Sequence, residues 1–166
     1  VILANPKPVE DYKKGKEELK IQHKEDRSLL TIADQKTEDT IKGHLHLSYD
    51  DSEFITEEAE NIAKNFEKVW IIDPIDGTRE YSSGIDYWSI LIAYAVKGEI
   101  ILGVCYFPVL DLLLFGEKGK GAYVGENSVH VSSNGDLSSA FMGYNSIRSF
   151  NLSEKDVLMK LIDSTE

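Results

Sequence analysis

In the stretch Val69-Trp70-Ile71-Ile72-Asp73-Pro74-Ile75-Asp76-Gly77-Thr78, two aspartates stand three residues apart at the end of an apolar run. Carboxylates at a strand end can point into one pocket if the chain turns between them. Pro74 fixes φ and favours that turn, and Gly77, with no Cβ, lets backbone approach a ligand closely. Two converging carboxylates repel one another unless a cation sits between them or one takes up a proton. Clustered hard oxygen donors suit Mg²⁺, which uses one or two carboxylates together with substrate phosphate and water. A helix turn opening at Gly77-Thr78 would aim free N–H groups at an anion. The residue types point to a magnesium and phosphate cradle. The plainer alternative makes Asp76 a helix N-cap and leaves Asp73 exposed.

Other acids follow short apolar segments. Glu57 and Glu58 close "FITEE", with Glu57 sixteen residues before Asp73, and Asp34 closes "RSLLTIAD". On spacing alone the glutamates fit first-turn acids of a helix, and Asp34 fits an N-cap. With Asp73 and Asp76 these make three acidic clusters, which could gather four of the five carboxylates around metals.

The elements that must position these acids can be read from periodicity. Pro6 and Pro8 break any early helix, and a short strand is expected over Leu19–His23. Thr37, Ile41 and Leu45 recur at four-residue spacing and predict a helix. "SYDDSEFITEE" reads as a loop and a short strand, and Ala59, Ile62, Ala63 and Phe66 share a helical face. From Asp86 to Val124 the chain reads as successive strands, with turns at Lys97-Gly98-Glu99 and at Pro108 to Asp111. These strands are apolar at nearly every position, which predicts cover on both faces of the sheet. A last helix is expected with Ser153 as N-cap and Asp156 in its first turn. The fold class is α+β, a layered sandwich with a largely antiparallel sheet covered by helices.

Length and composition set limits. The chain has 166 residues, 42% hydrophobic and 28% charged, the size of one domain or part of one. Its net charge of −11 repels polyanions, which argues against nucleic-acid polymers and anionic membrane surfaces as partners. With one cysteine, Cys105, and no signal-peptide pattern, a cytoplasmic location is the expectation. None of the four histidines is placed by spacing to act as a nucleophile.

"LLTIADQKTE", "FITEE", "WIIDPIDGTREY" and "ILGVCYFPVLDLLLFGEKGKGAYVGENSVHVSS" resemble, in order, the inositol monophosphatase superfamily. The resemblance implies a sugar-phosphatase-like fold and Mg²⁺-dependent hydrolysis of a small phosphorylated metabolite, by attack of water. It implies that Glu57 binds metal and helps activate that water, and that Asp73 bridges metals. Ile75 would give its carbonyl, and Asp76 a further carboxylate. Gly77 and Thr78 would hold phosphate through backbone N–H groups, with the Thr78 hydroxyl orienting the water. Asp34 matches an acid near a weakly held additional metal, and Glu58 supports Glu57. Competition by Li⁺ and a homodimeric assembly are further implications.

The family carries another metal-binding aspartate in a Trp-Asp motif of its C-terminal half. Here Trp70 is followed by Ile71 and Trp88 by Ser89. Residues 1–166 are therefore expected to be the N-terminal, metal-binding portion of a single phosphatase domain, with the C-terminal half absent. Arg79-Glu80-Tyr81 leans toward 3'(2'),5'-bisphosphate nucleotidases over inositol phosphatases; histidinol phosphate and fructose 1,6-bisphosphate are the alternative substrates. A surface helix turn with Tyr81 packed beneath it explains the same triplet. A dehalogenase-type aspartyl phosphatase would need D-x-D rather than D-x-x-D. "GEKGKGAY" lacks P-loop spacing and reads as a turn. The rival of a different class is a noncatalytic fragment whose acids only bind a cation.

Overall fold

The computed structural model describes residues 22–23, 29–30, 32–49, 51–57, 66–141, 143 and 151–163. The chain divides into two compact units, Val1–Val129 and His130–Glu166. In the first unit, β1 (Gln22–His23) and β2 (Leu29–Leu30) form a small antiparallel pair. Of the strand expected over Leu19–His23, residues 19–21 lie outside the described residues.

Helix α1 (Ile32–Ser48) follows, and then β3 (Glu53–Thr56) and β4 (Lys68–Asp76). After the short helix α2 (Thr78–Ser83) come β5 (Ser89–Val96), β6 (Glu99–Phe107), β7 (Leu112–Glu117), β8 (Gly121–Val124) and β9 (Asn127–Val129). Strands β3 to β9 lie side by side in sequence order as one sheet. Only β3–β4 is parallel, and every other neighbouring pair in it is antiparallel. The antiparallel run follows from its short connections, such as Lys97–Gly98, where both residues take positive φ (52° and 78°) as a two-residue hairpin requires.

The expected apolar stripe of α1 is present. Thr37, Ile41 and Leu45 are buried together with Ala33, and the helix packs on β4. Its apolar residues join Trp70, Ile72, Ile90 and Ile92 in one core cluster on that face of the sheet. Each fully buried aliphatic side chain there contributes roughly 1.5–3 kcal/mol. On the opposite face Ile71, Leu91, Ala93, Cys105 and Leu114 line a groove of about 780 Å³. Among the described residues of the first unit, helical cover is thus found on one face only. Ala59, Ile62 and Ala63 lie outside the described residues, and Phe66 is half exposed outside any regular element.

One capping alternative and one expected cap need correction. The helix begins at Ile32, so Asp34 lies inside its first turn rather than at the N-cap; an acid there still suits the helix dipole. In the second unit, helix α3 (Leu152–Asp163) is capped by Asn151, with Ser153 already helical. The Asn151 side chain accepts from the Glu154 N–H at 3.0 Å, and the Glu154 carboxylate accepts from the Asn151 N–H at 2.8 Å. This reciprocal pair satisfies two amides that an N-cap at Ser153 would leave open. Glu154 rather than Asp156 is the first-turn acid.

Candidate metal and phosphate site

Glu57 and Asp73 become neighbours through the one parallel pairing of the sheet. Thr56 stands opposite Ile72, so the next residues, Glu57 and Asp73, emerge together from adjacent strands. The Glu57 N–H donates to the Ile72 carbonyl at 3.2 Å, which extends the pairing by one residue. Alternation places Glu57 and Asp73 on the groove face with Ile55 and Ile71.

Asp76 reaches that face through a bulge. Asp73 pairs with Leu91 and Asp76 with Ser89, so three steps along β4 answer two along β5. In an unbroken strand, residues three apart point to opposite faces; the extra residue restores the same side. Pro74, which has no N–H to give the ladder, sits in this irregular segment.

The strand then turns at Gly77, whose φ of 90° and ψ of 41° favour glycine. A Cβ at Gly77 would also lie 3.4 Å from that of Trp88. Gly77, not Asp76, is the N-cap residue of α2, and Asp73 is partly buried, so the plain capping alternative fails on both counts. Tyr81 is buried edge-on against Trp88 with ring centroids 4.9 Å apart, while Arg79 is exposed. The Arg79-Glu80-Tyr81 triplet is thus a surface helix turn with its aromatic packed beneath.

Asp34 and Thr78 meet from separate elements. The Thr78 hydroxyl lies 3.1 Å from the Ile75 carbonyl and 3.4 Å from Asp34 Oδ1. Its single proton serves one acceptor at a time, and the shorter contact is to Ile75. Asp34 is fully buried. One turn on, the buried Glu38 accepts a hydrogen bond from Thr56 at 3.0 Å and pairs with Lys42.

The electrostatics of the acids favour a cation. Burial, then Glu57 and then Asp76, push the Asp73 carboxyl up to about 7. Its Oδ1 is buried with no hydrogen-bond partner. An orphaned buried oxygen among crowded carboxylates fits a hard divalent ion, and such an ion would relieve the repulsion. Among the described residues, no three ligand side chains already close on one point. Glu57, Asp73 and Asp76, with the Ile75 carbonyl, are the donors this chain brings near one another. Glu58 lies outside the described residues.

Sequence reasoning missed Ser89, whose hydroxyl donates to Asp76 Oδ2 at 3.2 Å. A lone polar residue inside "YWSILIAY" was the available signal. It also missed Glu38, an acid on the buried stripe of α1. "GEKGKGAY" is the β7–β8 hairpin, with its turn at Lys118 to Lys120.

The inositol monophosphatase family matches residues 7–162, and the chain belongs to that family of phosphatases. It is 35% identical over 118 residues to a histidinol-phosphatase of Chlorobaculum parvum, covering 71% of this chain and 46% of that protein. It is 34% identical over 139 residues to inositol monophosphatase 1 of Solanum lycopersicum, covering 81% and 51%. Among solved structures, the extragenic suppressor protein SuhB of Bartonella henselae superposes with a TM-score of 0.74 at 31% identity, covering 80% and 51%. An IMPase/NADP phosphatase complexed with Mg²⁺ and phosphate shares the fold, with a TM-score of 0.79 at 24% identity, covering 90% and 56%. The chain thus spans about half the length of the curated relatives it matches. Among the described residues no helix is long and apolar enough to cross a membrane.

Proposed function

We propose that this chain carries the metal-binding portion, residues 1–166, of a Mg²⁺-dependent phosphatase acting on small phosphate monoesters. The observation that carries this reading is the buried, unpartnered Oδ1 of Asp73, beside Glu57 and on the same face as Asp76. Glu57, Asp73, Asp76 and the Ile75 carbonyl would hold the ion. When bound, Mg²⁺ supplies Lewis acidity, neutralising phosphate oxygens and making water acidic enough to attack at neutral pH.

The chain's own groups do the remainder. Gly77 and Thr78 offer backbone N–H groups to the phosphate at the strand–helix turn. The Thr78 hydroxyl, within reach of Asp34 Oδ1, orients the attacking water and passes its proton toward a fixed acceptor. Relatives named for histidinol phosphate, inositol phosphate and fructose 1,6-bisphosphate support a compact polyol or polyol-like ester. The Arg79-Glu80-Tyr81 triplet keeps 3'-phosphoadenosine 5'-phosphate among the candidate esters. Inhibition by Li⁺ belongs to the same reading.

The test is phosphate release with Mg²⁺ from inositol phosphate, histidinol phosphate, fructose 1,6-bisphosphate and 3'-phosphoadenosine 5'-phosphate, in wild type and Asp76→Asn. One ester should be hydrolysed, and the variant should be slower by orders of magnitude. Equal rates for the two proteins would sink the catalytic reading; Mg²⁺ uptake without any turnover would leave a cation-binding fragment.

A further inference from the structure

Ser89 sits at the start of β5 and is 1% exposed. Its register partner is Asp76, the residue at which β4 leaves the bulge. The Ser89 hydroxyl donates to Asp76 Oδ2 at 3.2 Å, and among the described residues it is the hydrogen-bond donor to that carboxylate. A carboxylate accepts only, so the serine must supply the proton. Cys105 stands opposite Leu91 and hence diagonal to Ser89 on the groove face.

The Asp76 side chain is otherwise exposed, a poor state for a ligand that must hold one rotamer. A hydrogen bond to one oxygen fixes the carboxylate plane and leaves the other oxygen for an ion. Outer partners of this kind commonly change metal affinity by roughly 10–100-fold.

We propose that Ser89 is a positioning residue for the metal site, holding the Asp76 carboxylate by its Oδ2 so that Oδ1 faces the cation. This rests on the reading of Asp76 as a Mg²⁺ ligand. The experiment is calorimetric Mg²⁺ titration at pH 8, with and without inorganic phosphate, on wild type, Ser89→Ala, Ser89→Thr and Asp76→Asn. Thermal unfolding in EDTA is measured on the same samples.

Ser89→Ala should bind Mg²⁺ roughly tenfold more weakly with an unchanged unfolding temperature in EDTA. Ser89→Thr, which keeps the hydroxyl, should recover most of that loss. Wild-type affinity in Ser89→Ala, alongside lost binding in Asp76→Asn, overturns the positioning role and leaves Asp76 a ligand. Wild-type affinity in Asp76→Asn overturns both. Weakened binding in Ser89→Ala that tracks an equal fall in unfolding temperature, without recovery in Ser89→Thr, assigns the effect to packing and overturns the proposal.

Discussion

Asp73 and Asp76 share one face of the sheet because β4 carries one extra residue between them, while their partners on β5, Leu91 and Ser89, stand only two apart. That bulge turns a D-x-x-D spacing, which regular alternation would split between faces, into two acids beside Glu57.

The crowding has a pH signature. The Asp73 carboxyl lies near 3.8 in the unfolded chain and is raised to about 7 in the fold. Between these values the folded state keeps a proton that the unfolded state has released. Its contribution to stability is therefore full below about pH 4 and lost as pH rises through about 7. Urea unfolding without metal should show Asp73→Asn gaining stability over wild type as pH climbs from 4 to 8. A difference that stays flat across this range would contradict the raised carboxyl.

Metal should reverse that penalty. Saturating Mg²⁺ at pH 8 is expected to raise the unfolding temperature of wild type, since a ligand bound only to the folded state stabilises it. Asp73→Asn should show no such rise, because it removes the charge and the orphaned oxygen. Calorimetry in two buffers of different ionisation enthalpy should detect protons released on binding near pH 7. Binding with no proton release would argue that Asp73 does not meet the ion.

Gly77→Ala places a β-carbon on a residue with φ of 90°. The left-handed conformation costs roughly 1–2 kcal/mol, and the new atom would press on Trp88 at 3.4 Å. A loss of at least that size in chemical unfolding is expected, together with weaker phosphate binding. Unchanged stability would mean that the turn relaxes without cost.

Thr78→Val keeps the shape of the side chain and removes the hydroxyl that lies within reach of both the Ile75 carbonyl and Asp34. On the proposed chemistry, kcat should fall by about 10²–10⁴, with little change in KM. Thr78→Ser should retain most of the rate. A fall in Thr78→Ser as deep as that in Thr78→Val would assign the effect to the methyl group.

Leu45→Ala tests the packing of α1, whose far end carries this leucine at 2% exposure. Truncation is expected to cost about 2–5 kcal/mol of stability. Because α1 also presents Asp34 and Glu38, the same variant should hydrolyse the ester more slowly at temperatures near its melting point.

Much of this was legible in the chain. The four-residue spacing of Thr37, Ile41 and Leu45 needs only helical periodicity, and the β5 to β8 meander needs only short turns between apolar runs. Local signals competed at the caps: Ser153 and Asn151 are both good N-cap types, and only the reciprocal bonds of Asn151 with Glu154 separate them. Strands apolar at nearly every position predicted cover for both faces without saying which segment lies on either. Ser89 and Glu38 escaped notice because a lone serine in a strand and an acid on a helix gain meaning only from what they touch.

Residue order by itself determined which acids were available, the turn at Gly77, and the family resemblance, since these depend on identity and nearest neighbours along the chain. Tertiary structure decided that Glu57 stands beside Asp73, that Asp76 joins them across a bulge, and that Thr78 reaches Asp34. Those relations come from strand register and from one helix packing on one sheet face. Contacts between residues far apart in sequence depend on how several elements pair at once, and no local stretch carries that information.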